Sequence, residues 1–160
     1  MSKRYIHYGS NNFDKKRVNV INPHYTALPC KPLFGLWASP VEPTYRSWEE
    51  WCRGEDFCLS HLEKYFTFTL SDDAKVLEVR QPSDISKYAN DTIHRFMTCI
   101  DFNKIIEDGY DAVEVYMNSE LYYYLYGWDC DSIVIFNPNI VIPETVNNKG
   151  RVMYNEQKAI

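Results

Sequence analysis

The sequence lacks any apolar run approaching the roughly 18 residues that signal a membrane span, and its N-terminus is polar. Neither a membrane segment nor a signal peptide is expected. It also lacks a C-x-x-C pair. Its five cysteines, Cys30, Cys52, Cys58, Cys99 and Cys130, are odd in number, which argues against a disulfide framework and against a zinc ribbon. Reduced thiols in a cytoplasmic protein are the simplest account. Positive charge is in deficit: 17 Lys and Arg face 22 Asp and Glu, a net charge of −5. A broad phosphate-binding surface is not expected, and nucleic acid is not the default partner. No repeat, low-complexity segment or linker divides the 160 residues, a length that suits one domain with a sizeable core.

Aromatic residues are abundant. They make up 16% of the chain, with 13 Tyr and 4 Trp. Such side chains fill cores and line clefts that hold flat ligands.

Strand signals dominate. Tyr5 to Tyr8 reads as a first strand ending at Gly9, and 11–32 as a long loop. Residues 33–39 read as a second strand, in which Gly35 lets a backbone or a ligand come close. Ser47-Trp48-Glu49-Glu50 is a capping box opening a short helix that Gly54 ends, with Trp48 and Trp51 on its buried face. Residues 64–70 and 74–79 are strands, predicted to form a hairpin, and 83–98 is irregular or helical. A short helix follows Asp101, a strand spans 111–116, and Asn118-Ser119 caps a Tyr-rich helix ended by Gly127. Ile133 to Phe136 is an unbroken β-branched and apolar run stopped by Asn137-Pro138, and 140–143 is a last strand. The predicted class is α+β with mainly antiparallel pairing and short flanking helices. One domain is expected over 1–143, followed by a polar tail, 144–160.

Three kinds of residue carry candidate chemistry. His7 sits in the first strand, beside the backbone N–H groups of Gly9-Ser10, which suit an amide or an anion. Asp129 and Asp131 precede the apolar strand, where a low dielectric strengthens a carboxylate's field. Glu114 lies mid-strand between valines and faces either water or a cleft.

The order of His7-Tyr8-Gly9-Ser10, Gly35-Leu36-Trp37-Ala38-Ser39, Asp108 to Val115, and Asp131 to Pro138 resembles the ADP-ribosyltransferase superfamily, and most of all its small bacterial and phage members. The resemblance covers most of residues 4–142. It implies a split antiparallel β-sandwich and NAD as substrate, with no metal required. It implies that His7 hydrogen-bonds a ribose and that the backbone of Tyr8 or Gly9 holds the nicotinamide carboxamide. Trp37 would stack on the nicotinamide and Ser39 would support the site. Asp131 would be the catalytic acid. Most members carry Glu there, so Glu114 is the other candidate. Cleaving the nicotinamide–ribose bond develops an oxocarbenium-like cation, which a fixed carboxylate stabilises.

The implied activity is transfer of ADP-ribose to a macromolecule, a protein rather than a nucleic acid, as a toxin, effector or phage counter-defence protein. NAD hydrolysis is the related enzyme reading. The alternative class is a degenerate fold member that binds a nucleotide or a protein and catalyses nothing. The family reading requires His7, Trp37 and Asp131 to line one cleft between two half-sheets. An unrelated α+β protein would set them apart.

Overall fold

Alternating apolar and polar residues make the N-terminal segment a strand, β1 (Arg4–Tyr8), and β1 lies inside the sheet, not at its edge. The computed structural model describes residues 2–18, 30–32, 34–90 and 98–144. On one side of β1 lies β3 (Tyr65–Leu70), then β7 (Val141–Pro143). On the other lie β2 (Leu36–Pro40), β6 (Ser132–Ile135), β5 (Ala112–Val115) and β4 (Val76–Val79), completing seven strands. Every neighbouring pair is antiparallel except β4 and β5. The protein is therefore α+β with a mixed sheet.

The predicted hairpin between residues 64–70 and 74–79 does not form. β3 pairs with β1 and β7, and β4 pairs in parallel with β5 at the opposite edge. The turn at 71–75 carries the chain across the sheet instead. Propensity identifies strands, but the partner is set by which apolar face each strand buries.

The helices α1 (Trp48–Glu55), α2 (Phe102–Glu107) and α3 (Ser119–Tyr124) are short. The capping box at Ser47 and Glu50 is present. Gly54 does not end α1. The helix runs to Glu55 and closes on Asp56, whose φ of 52° is left-handed, with the Phe57 N–H on the Cys52 carbonyl. Trp48 and Trp51 are half-buried rather than core, stacked on each other at 4.9 Å with Phe57 edge-on to both. No helix among the described residues is long and apolar enough to cross a membrane.

Strand parity separates two cores. One face buries Val113, Val115, Val134, Phe136 and Trp128 with α2 and α3. The other buries Tyr5, Phe66, Phe68, Ala38, Ile133 and Ile135. On this second face the sheet curls until Tyr5 of β1 reaches Glu114 of β5 past two intervening strands, a hydroxyl–carboxylate bond of 3.0 Å. Lys3 closes the same cluster. Its ammonium pairs with Glu114 and donates to the Tyr116 hydroxyl at 2.6 Å.

The pairing of β1 is uneven. It meets β3 through five residue pairs, Arg4 to Tyr8. It meets β2 through two, Tyr5 with Pro40 and Ile6 with Ser39. Beyond Ile6 the two strands part, and β2 continues against β6 through Leu36, Trp37 and Ala38. The gap between His7-Tyr8 and Leu36-Trp37 is where the site opens.

Candidate functional site

A cleft of about 390 Å³ occupies this gap, within the range of small-molecule sites. Its walls come from β1, β2, the start of α1, and the turn that leads into β6.

His7 explains why the gap stays open. In a continued antiparallel ladder, the Trp37 carbonyl would accept from Tyr8, the partner two residues beyond Ile6. Instead it lies 2.7 Å from Nδ1 of His7. A carbonyl only accepts, so Nδ1 carries the proton. Burial pushes the imidazole pKa below its ordinary value, which the Trp37 bond only partly offsets. The ring is therefore neutral at pH 7, and Nε2 is a lone-pair acceptor in the cleft wall. Phe66 packs against it at 5.1 Å.

The peptide groups of Tyr8 are set by the same parity. Gly9, next in the chain, donates its N–H toward the β3 side, to the Lys64 carbonyl at 2.7 Å. Alternation turns the Tyr8 N–H and C=O the other way, toward the β2 edge where the ladder has ended. One donor and one acceptor on adjacent atoms form the edge that recognises an amide. Of the two residues singled out for the carboxamide, Tyr8 faces the cleft, while the Gly9 N–H is engaged by Lys64 and Gly9 is not part of the lining.

Trp37 is half-buried in the cleft wall, packed on Trp128 at 4.8 Å with a 54° tilt. The Trp128 indole N–H donates to the Cys30 carbonyl at 2.5 Å, which brings the 30–32 segment to the cleft. Lys31 then projects its ammonium to the Gly127 carbonyl at 2.9 Å and lies 5.0 Å over the Trp37 ring. Burial lowers the Lys31 pKa, and the charge of Asp129 works against that. Trp48 and His61 complete the opposite wall.

The acids are placed by register. Ile133 opposes Ala38, and Val134 opposes Trp37. Parity then puts Asp131 with Ile133 on the far side of the sheet from Trp37, and Cys130 and Ser132 on the cleft side. The Asp131 carboxylate is buried and fully engaged. It accepts from the Thr44 N–H at 2.6 Å, the Thr44 hydroxyl at 2.8 Å, the Tyr45 N–H at 3.1 Å and the Met117 N–H at 2.8 Å. None of these three residues lines the cleft. Glu114 opposes Ile133, shares its face, and is buried with Lys3 and Tyr5, in neither water nor the cleft.

Asp129 is the carboxylate that lines the cleft. Its main-chain carbonyl takes the Arg46 guanidinium at 3.0 Å, which fixes the turn. Ser39 is buried in the lining of the cleft. Its hydroxyl donates to the Asp131 carbonyl at 3.2 Å and accepts from the Trp48 N–H at 2.9 Å, so it ties β2 to β6 and to the start of α1. Cys130 reaches the cleft wall, where burial pushes its thiol pKa up and keeps it protonated.

His7, Tyr8, Trp37 and Ser39 thus meet in one cleft. Asp131 stands behind the wall, so two of the three residues required to share the cleft do so, and Glu114 is buried with Lys3 and Tyr5 away from it. Lys31, Trp48, His61 and the cleft position of Asp129 were missed in the sequence. Asp129 and Asp131 share one parity, so the register does not separate them; donors from Thr44, Tyr45 and Met117 hold Asp131 out of the cleft, and no local pattern carries contacts so distant.

No family model matches the chain, and neither a curated protein nor a solved structure matches it.

Proposed function

We propose that the curled sheet is a split β-sandwich of ADP-ribosyltransferase type and that the cleft cleaves the nicotinamide–ribose bond of NAD, passing ADP-ribose to a macromolecular acceptor. The observation that carries this reading is the parting of β1 from β2 at His7, which presents an imidazole acceptor, an open peptide edge and an indole in one cleft beside a carboxylate.

Each group has a part in that chemistry. Nε2 of His7 accepts from a ribose hydroxyl. The Tyr8 N–H donates to the carboxamide oxygen, and the Tyr8 carbonyl accepts from the carboxamide nitrogen. Trp37 holds the leaving ring at little entropic cost. Asp129, the acid at the cleft, stabilises the cation that develops on the ribose as the bond breaks. Assigning this part to Asp129 departs from the acid implied by the family resemblance. It rests on the lining of the cleft, which includes Asp129 and not Asp131, whose carboxylate is held by Thr44, Tyr45 and Met117.

A second reading is favoured by one observation. The family position for the acid, Asp131, is fully engaged by the fold. On that reading the cleft binds a nicotinamide nucleotide without cleaving it.

Nicotinamide release from NAD by the purified protein separates the two. The transferase reading expects release by the wild type and a loss on the order of 100-fold or more in Asp129→Asn, the scale of removing a preorganised charge. Binding of NAD without release, in the presence of a cell extract that supplies acceptors, establishes the second reading.

A further inference from the structure

Lys31 has no place in the chemistry above, yet its ammonium sits in the cleft. A half-buried ammonium is costly unless its surroundings favour positive charge. Here they do. Nζ lies 2.9 Å from the Gly127 carbonyl and 5.0 Å over the face of Trp37, in a cleft that also presents Trp48, Trp128 and the Asp129 carboxylate. Aromatic faces with one carboxylate are the usual surroundings of an organic cation.

From this geometry we infer that the Trp37 subsite selects a planar cation and that Lys31 is its built-in competitor: the ammonium occupies the subsite until a ligand of the same charge displaces it. The inference rests on the nicotinamide reading and deepens it, because the ring of oxidised NAD is a pyridinium cation while free nicotinamide is neutral. A neutral ring that displaces Lys31 loses the cation–π contact and the pull of Asp129. A cationic ring restores both. The flexible four-carbon stem of Lys31 lets the ammonium swing to solvent when displaced.

The test uses the N-methylated nicotinamide cation and neutral nicotinamide as paired probes. Binding is measured by calorimetry and by tryptophan fluorescence with wild type, Lys31→Met and Lys31→Arg. Methionine keeps the length of the stem and removes the charge. The expected result is that wild type binds the cation more tightly than nicotinamide, that Lys31→Met binds both probes about three- to tenfold more tightly, the scale of one cation–π contact that neither must then displace, and that Lys31→Arg stays close to wild type. Unchanged or weaker binding of the probes by Lys31→Met overturns the competitor, and wild type that binds nicotinamide as tightly as the cation overturns the selectivity, both leaving the nicotinamide reading in place. Failure of both probes to bind any folded variant overturns that reading, and the inference with it.

Discussion

His7 replaces a main-chain hydrogen bond with a side-chain one, and its protonation state follows from that substitution. Nδ1 must donate to the Trp37 carbonyl, so Nε2 works as an acceptor only while the ring is neutral. Burial holds the imidazole pKa below its ordinary value of 6.5. Activity is therefore expected to be flat across neutral pH and to fall on the acid side with a midpoint below 6.5. A pH profile of nicotinamide release checks this, and His7→Ala removes the activity altogether. Asp131 calls for the opposite experiment. Its four donors come from the 44–45 loop and from Met117, so it fastens the approach to α1. Asp131→Asn brings an amide N–H against N–H donors. It is expected to lower unfolding free energy by about 2–4 kcal/mol in denaturant titration. Release per folded molecule remains measurable, in contrast to Asp129→Asn.

At the scale of elements, the approach of β2 to β6 depends on Gly35. Its φ is +92°, and a Cβ there would lie 2.8 Å from both the Ile135 carbonyl and a Val134 methyl. Of the two reasons a glycine could stand in this strand, it is a neighbouring backbone that comes close. Gly35→Ala is expected to cost about 2–3 kcal/mol, because both the left-handed strain and the clash must be relieved. Lys3 gives a second expectation, since it and Tyr5 connect β1 to β5 through Glu114. Lys3→Met leaves a buried carboxylate with a phenol alone and is expected to cost about 1–3 kcal/mol in the same titration. These elements also mark what the sequence made legible. Strand positions, the Ser47 capping box and the wall residues His7 and Trp37 all follow from local patterns. The partner of 74–79, the burial of Glu114 and the inward acid do not. The first two depend on a register between strands distant in the chain, where a shift of one residue exchanges the faces, and the third on distant donors that hold Asp131 ahead of β6. Gly54 shows the same limit within a helix, since the helix passes it and stops at a left-handed Asp56 two residues later.

Across the whole molecule, titration pushes stability in one direction. Glu144 has its pKa held below 4.5 by Arg4, at 2.6 Å through two nitrogens, and by Thr67. Glu49 is held down by Arg53 and Tyr8. A depressed carboxylate contributes stability that is present above its unfolded pKa and lost as pH falls through the folded one. His7 acts in the same sense, because an imidazole kept neutral must take up its proton on unfolding. The melting temperature is expected to be level near pH 7–8, to begin falling below pH 6.5, and to fall more steeply below pH 4.5. Thermal melts across that range check it.

The order of strands also governs when the protein is complete during synthesis. β2 is flanked by β1 and β6, and the Trp37–Val134 pairing joins residues 97 positions apart in a sequence of 160. Closing so long a loop slows folding, and sheets dominated by such distant pairings form in milliseconds to seconds. A chain still on the ribosome holds His7 and Trp37 long before residues 129–135 emerge, so the cleft has no acid wall until β6 has been made. On the proposed reading, a nascent chain is therefore unable to cleave NAD until β6 has emerged and paired with β2.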